Sequence, residues 1–362
     1  MHDDGSIMVD GSELEKRVLR RLQDAGASEA SAQAATRAMM HASFVGIDSH
    51  GARLTEHYCR MLDGGRLAGN PKLVVERKGT ASATVHGGDG LGHYAAYRAV
   101  EVGCELAAEA GVAGVGITHS SHLGAAGAYA LEGAGRGFIT LVTTNTDSIV
   151  SLFDGSTRFH GTNPFAVGAP VPDGNPWLLD MATSSIPMNR VMLYRSLDKA
   201  LPDGVAADKG GHPTTDPGKA EMLLPLGGMD FGFKGAALAG LATLLSAVLT
   251  GSTLDTDFIP MYGGDDISTP RNMGHFVLVI NPAKFAGSEI FASGIKAYLS
   301  TLRDMPSREG GGKIMAPGDR EWAEKERRQR EGVPIDRDTA DFLGFLSGPA
   351  SGGISAPRAD AS

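Results

Sequence analysis

Leu14, Val18, Leu19 and Leu22 recur at helical spacing, which predicts a helix with one covered face. The Ala-rich stretch 28–44 keeps helical character, and Ser28 stands where a helix needs a hydroxyl to cap its first turn. The period then changes. Residues 82–86, 115–118, 138–144, 165–168, 177–179 and 276–280 read as short strands, with helices predicted at 94–110 and 123–134. Such alternation predicts an α/β layer arrangement. Residues 236–249 are Ala and Leu on nearly all sides, so that helix is expected to be covered all round. Residues 321–330 read as a charged helix. Between the strands and these helices, 202–235 is rich in Gly, Pro and Asp, a long excursion of the kind that serves a site or an interface. The tail 347–362 is small and polar and is expected to be disordered.

Composition narrows the classes. With 42% hydrophobic and 21% charged residues, the chain of 362 residues is expected to be an ordinary globular protein. A net charge of −9 argues against a nucleic-acid partner, whose phosphates need basic surface. Cys59 and Cys104 are too few for a disulfide framework or a Cys-rich zinc site. The run 236–249 is broken by Gly240, Thr243 and Ser246 and falls short of the ~20 residues a spanning helix needs, so no membrane is expected. The acidic N-terminus lacks an apolar signal core, and a cytoplasmic location is expected.

Gly88, Gly90 and Gly92 lie between a strand and a helix, as a dinucleotide fingerprint would. The spacing is GxGxG, and the next strand ends Ile117-Thr118-His119 with no acid for a ribose, so a tight turn is the better reading. Ser49, His50 and Arg53 place a hydroxyl, an imidazole and a guanidinium within five residues. Imidazole exchanges a proton near neutrality, and a guanidinium forks onto a carboxylate; a helix end with a surface His and Arg is the plainer alternative. His119 and His122 have ligand-like spacing but no further ligands nearby, so no metal is expected. His122 precedes the small residues Gly124-Ala125-Ala126-Gly127, a helix start whose N–H groups suit a phosphate. Taken alone, the segments 161–164 and 179–184 read as turns or caps.

In chain order, the segments SHG (49–51), SSHLGAAG (120–127), GTNPF (161–165), LLDMATS (178–184), FGFKG (231–235), GHF (274–276) and PGDREW (317–322) resemble the type-2 malate/L-lactate dehydrogenase family. That family includes ureidoglycolate and sulfolactate dehydrogenases and cyclic imino-acid reductases. The resemblance implies an α/β fold with a non-Rossmann mixed sheet covered by helices. It implies an N-terminal helical region (8–70) joined by a C-terminal one (285–345), and a cofactor-binding α/β region (71–284). It implies a homodimer or higher oligomer, NAD or NADP as cofactor, and a small 2-hydroxy or 2-keto acid as substrate. By position, His50 matches the proton donor and acceptor, Ser49 its hydroxyl partner, and Arg53 the carboxylate arginine, which many relatives carry one residue later. His122 matches a catalytic or cofactor-loop residue. Gly124, Ala125, Thr162, Asp180, Met181, Ala182, Lys234, Gly235, Gly318, Asp319 and Arg320 match cofactor contacts. Met188 and Arg190 stand where relatives shape the substrate pocket. Cyclic-imine reductases carry an aspartate where Arg190 stands, so that chemistry is the alternative, beside a catalytically idle dinucleotide-binding relative.

Overall fold

The computed structural model describes residues 6–261 and 264–346. Its centre is a seven-stranded sheet: β1 (Val74–Gly79), β2 (Ser82–His86), β3 (Val112–Ser120), β4 (Ile139–Thr144), β5 (Phe165–Ala169), β6 (Trp177–Met181) and β7 (Met273–Ile280). The order is β1-β2-β3-β7-β4-β5-β6. Only β2 and β3 pair in parallel, so the sheet is mixed and not the doubly wound Rossmann kind, in keeping with the missing dinucleotide fingerprint.

Helix α4 (Gly92–Ala110) crosses from β2 to β3 and lays Ala95, Ala96, Ala99 and Val100 on Val85, Val115, Ile117 and Val277. Small residues let it come close: a Cβ on Gly103 would lie 2.6 Å from Cγ2 of Val279. The glycine cluster before α4 is a tight turn. Gly88 has φ +59, and the Gly87 N–H donates to the Thr118 carbonyl at 2.8 Å.

A second core joins the chain ends. α1 (Gly11–Asp24), α2 (Glu29–Phe44) and α3 (Thr55–Asp63) bury Leu14, Val18, Leu22, Met39 and Tyr58 together with Val333, Ile335 and Leu343. Ser28 caps α2, accepting the Ser31 N–H. Residues Ile7–Val9 pair antiparallel with Val333–Ile335, so the C-terminal segment closes over the N-terminal helices.

Four expectations need correction. The helix expected at 123–134 starts only at Gly127, as α5 (Gly127–Gly135), because Gly124 takes φ +73 and turns the chain first. The excursion 202–235, which follows α6 (Met188–Ser196), contains Ala206–Ala207 and Met222–Leu223, strands of a small sheet with Val150–Ser151 and Arg158–His160. Helix α7 (Gly228–Thr243) begins within that excursion. It runs on through a π-helical turn to Val248, and it is not covered all round: Leu241, Leu244, Val248 and Leu249 are exposed. At 21 residues, Gly228–Val248 is long and apolar enough to cross a membrane by length and composition, which overturns the length argument above. The core helix of a soluble protein passes the same test, and here Gly232, Gly235, Ala239 and Ala242 are packed inside. The tail 347–362 lies outside the described residues.

Candidate active site

After α2, two 3₁₀ turns, Asp48–His50 and Ala52–Leu54, carry the SHG segment. A helix from the far end of the chain, α9 (Asp319–Glu331), holds them. Buried Arg328 donates to both Asp48 oxygens, to the Ser43 carbonyl at 2.6 Å and, through Nε, to Glu324 at 2.5 Å. Ser43 in turn accepts the Ala52 N–H at 2.9 Å. On this braced turn Ser49 Oγ lies 2.9 Å from His50 Nδ1, which leaves Nε2 of that ring for chemistry.

The second imidazole comes from the end of β3. His122 Nδ1 lies 2.7 Å from the Tyr58 hydroxyl of α3, and its ring centroid is 5.6 Å from that of His50. Burial pushes the pKa of His50 down to about 4. Burial, then the neighbouring His50, His93 and His57, hold His122 well below its ordinary value. Both rings are therefore neutral at pH 7, each with one nitrogen fixed by a hydroxyl that can donate or accept. Behind them His93 packs edge-on to Tyr58 at 4.9 Å, and burial takes it to about 3. His275 of β7 joins the walls, with Nδ1 2.7 Å from Thr144 Oγ1 and Nε2 2.9 Å from Ser120 Oγ.

Several of the expected cofactor residues lie along and just past β6. The Gly127 N–H donates to Asp180 at 2.9 Å, the Thr183 N–H to the Thr162 carbonyl at 2.9 Å, and the Leu178 N–H to the Pro317 carbonyl, next to Gly318, at 3.3 Å. Met181 pairs across the sheet with Phe165, and Ala182 follows it. Gly235 donates to Leu226, whose own N–H donates to Thr183, which brings the start of α7 to the same place. Gly124 needs its positive φ, and a Cβ there would lie 3.1 Å from His93 Nε2; buried Ala125 follows it. Lys234 and Arg320 are exposed and make no ion pair among the described residues, and the Lys234 ammonium lies 5.1 Å from the centre of the Phe231 ring; such cations suit phosphates. That donor set fits a dinucleotide.

Several expected site residues have other partners in the structure. Three N–H groups of the first turn of α5 are already spent inside the protein: Gly127 donates to Asp180, and Ala128 and Tyr129 donate to the carbonyls of Ala125 and Ala126. Burial raises Asp180 to about 6, against the pull of the Gly127 bond. Asp319 is taken up by Arg303 of α8 (Ser288–Arg303) at 2.6 Å and by the Ala316 N–H, so its carboxylate shapes the turn. Arg53 is 61% exposed and leans on Asp336 at 3.8 Å, while Leu54 is buried. One residue on a 3₁₀ turn is a rotation of about 120°, so the shift by one position turns the guanidinium outward. Met188 packs with Val150, Ile186 and Val191 in a small third core, and Arg190 is exposed on α6. Among the described residues no cluster of three His, Cys, Asp or Glu side chains could hold a metal.

The sequence reading missed Tyr58, His93, His57, Arg66 and Arg271. It also missed Asp255, a buried hub that accepts from Asn163 at 2.7 Å and Asn145 at 2.8 Å and lies 3.2 Å from His160. Only Asn163, inside GTNPF, carried a local signal.

Two neutral imidazoles, each held at Nδ1 by a hydroxyl, lie side by side in a mixed α/β fold, an arrangement able to exchange protons with a small ligand. The sequence pattern of the malate/L-lactate dehydrogenase family matches residues 9–344. The chain is 32% identical over 330 residues to ureidoglycolate dehydrogenase (NAD(+)) of Escherichia coli K12, covering 91% of this chain and 93% of that one. Its structure is similar to malate dehydrogenase from Entamoeba histolytica, with TM-score 0.87, 26% identity, and 94% and 97% of the two chains covered. It is also similar to delta1-piperideine-2-carboxylate reductase from Pseudomonas syringae pv. tomato, with TM-score 0.82, 29% identity, and 94% and 100% covered. The chain belongs to the malate/L-lactate dehydrogenase family and is an oxidoreductase dependent on NAD or NADP.

Proposed function

We propose that the protein moves a hydride between NAD(P) and the 2-carbon of a small, open-chain 2-hydroxy or 2-keto acid, with His50 and His122 as its working groups. The observation that carries this reading is the pair of neutral imidazoles 5.6 Å apart, each fixed at Nδ1 by a hydroxyl. Nicotinamide, when bound, accepts or returns the hydride. In oxidation, His50 Nε2 takes the hydroxyl proton while its Nδ1–H donates to Ser49. His122, its Nδ1 accepting from Tyr58, presents Nε2–H to the substrate oxygen and stabilises the charge developing there. A substrate carboxylate nearby raises the depressed pKa of His50 toward the working range, which lets it hand the proton back in reduction. Acid–base help of this kind is worth ~10²–10⁴-fold.

Thr162, Asp180, Met181, Ala182, Lys234, Gly235, Gly318 and Arg320 would hold the cofactor, with Lys234 and Arg320 toward its phosphates. The reading is tested by mixing the protein with NADH or NADPH and a panel of 2-keto acids; consumption of the reduced cofactor supports it.

The fold likeness to a cyclic-imine reductase favours a second reading, reduction of cyclic imino acids. Arg190 stands where that subgroup carries an aspartate and is exposed on α6, so this position supplies no acid to an iminium. The exposed apolar face of α7, including Leu241, Leu244 and Val248, supports a homodimer or higher oligomer. Cys59 and Cys104, both free and buried, suit the reducing cytoplasm.

A further inference from the structure

With Arg53 turned out to Asp336, the site needs another cation for the carboxylate of a 2-keto acid. Among the described residues three buried arginines are candidates: Arg66, Arg271 and Arg328. Arg328 is fully engaged with Asp48, Glu324 and Ser43. Arg66 and Arg271 differ from it, because each keeps a buried Nε–H with no partner.

Their place in the fold points to the histidines. Met273 of β7 pairs antiparallel with Ser120 of β3. Two residues beyond that pair, at the same end of the sheet, stand Arg271 and His122. Asn272, next to Arg271, accepts the His119 N–H at Oδ1 at 2.9 Å and ties its segment to the end of β3. Arg271 is 7% exposed, stacks over the Phe258 ring at 4.8 Å and gives one terminal nitrogen to Asp147. Arg66 donates its backbone N–H to the Ile267 carbonyl at 3.0 Å and its guanidinium to the Asp266 carbonyl, which ties it to the same loop. The charge of Arg271 is felt at His57 and at His122, and that of Arg66 at His57.

We propose that Arg271, backed by Arg66, receives the carboxylate of the substrate, in the role that the sequence position gave to Arg53. The inference rests on the dehydrogenase reading of the site. A guanidinium has five N–H donors in a fixed fork, and Asp147 uses one nitrogen of Arg271. An entering carboxylate supplies the partner that the buried Nε–H lacks and is held beside His122, with its 2-carbon toward the paired imidazoles. The site therefore selects substrates with an anionic group directly attached to the reacting carbon.

The test uses oxamate, an unreactive analogue of a 2-keto acid, titrated into the protein with NADH or NADPH bound. Arg271→Lys keeps a cation against Asp147 but loses the fork, and is expected to weaken oxamate ~10-fold or more; Arg271→Gln weakens it further, while Arg53→Gln changes it less than ~3-fold. Reduced-cofactor affinity stays within ~3-fold of the parent in all three, which also reports that the fold is kept. Unchanged oxamate binding in Arg271→Lys, in a parent that reduces 2-keto acids, overturns the inference and leaves the dehydrogenase reading standing. Loss of cofactor binding in Arg271→Lys overturns it too, since Arg271 then supports the fold. A parent that binds the cofactor but neither binds oxamate nor reduces any 2-keto acid overturns both.

Discussion

The Tyr58 hydroxyl lies 2.7 Å from Nδ1 of His122, which ties the helix following the SHG turns to the loop that leaves β3. In the proposed mechanism this bond leaves Nε2 of His122 for the substrate. Tyr58→Phe keeps the ring against His93 but frees that nitrogen. A hydrogen bond of this kind is worth about 1 kcal/mol net, so kcat/KM is expected to fall roughly 5- to 10-fold with cofactor affinity unchanged. Wild-type kcat/KM in the Phe variant would show that His122 needs no such support.

His50→Ala is expected to lower kcat by at least ~10²-fold, since acid–base catalysis is worth that much, while NAD(P)H still binds. Ser49→Ala should cost less, because water can replace its hydroxyl at Nδ1. A His50→Ala enzyme with near-normal kcat on its best substrate removes His50 from the mechanism.

Arg328→Gln reaches His50 from the other end of the sequence. It removes the ion pair to Asp48 and leaves that turn unbraced. Arg328 is buried but Asp48 is half exposed and can turn to water, so the loss is that of charge-assisted hydrogen bonds, about 1.5–3 kcal/mol, and a clear drop in Tm is expected. Asp48→Asn, which keeps an acceptor for Arg328, should be milder in both Tm and kcat. Equal, small effects of the two would mean that the turn stands without the clamp.

Acid should unfold the protein early. His41, His50 and His57 are pushed to about 4 and His93 and His275 to about 3, with burial the first cause in each. Their ordinary value is 6.5, so between that pH and about 4 the unfolded chain binds more protons than the folded one. Stability is then fully present above pH 6.5 and is lost as the pH falls. Each fully buried ring that stays neutral loses up to ~1.4 kcal/mol for every pH unit below 6.5. Tm measured from pH 7 to pH 5 should fall steeply; a flat profile contradicts neutral burial of these rings.

The exposed face of α7 should bury itself against a second copy. Leu241, Leu244 and Val248 lie on it, and Leu244→Glu is expected to shift sedimentation from twice the chain mass toward a single chain. A parent that sediments as one chain at micromolar concentration contradicts the oligomer.

What the sequence made legible was local pattern. Strand alternation placed β2 to β7 within a few residues, and Ser28 marked the start of α2. The segments SHG and SSHLGAAG located His50 and His122, which the structure brings together. The start of α7 was missed because Gly228, Gly232 and Gly235 disfavour a helix intrinsically. In the structure they are required by packing: a Cβ on Gly235 would lie 2.5 Å from the Leu226 carbonyl oxygen. Tyr58, Arg271 and Asp255 carried no local signal, since each acquires its role only when distant segments meet. That Arg53 is exposed and leans on Asp336 could not be read from the motif, because composition does not show which way a side chain on a 3₁₀ turn is rotated.

The central claim is tested most directly by reduction kinetics. Purified protein is given NADH or NADPH with open-chain 2-keto acids in one series and pyrroline- or piperideine-2-carboxylate in another. The account predicts turnover of at least one 2-keto acid at ~1 s⁻¹ or faster, with higher kcat/KM than either cyclic imine. Turnover of the cyclic imines alone, or higher kcat/KM for them, would contradict it.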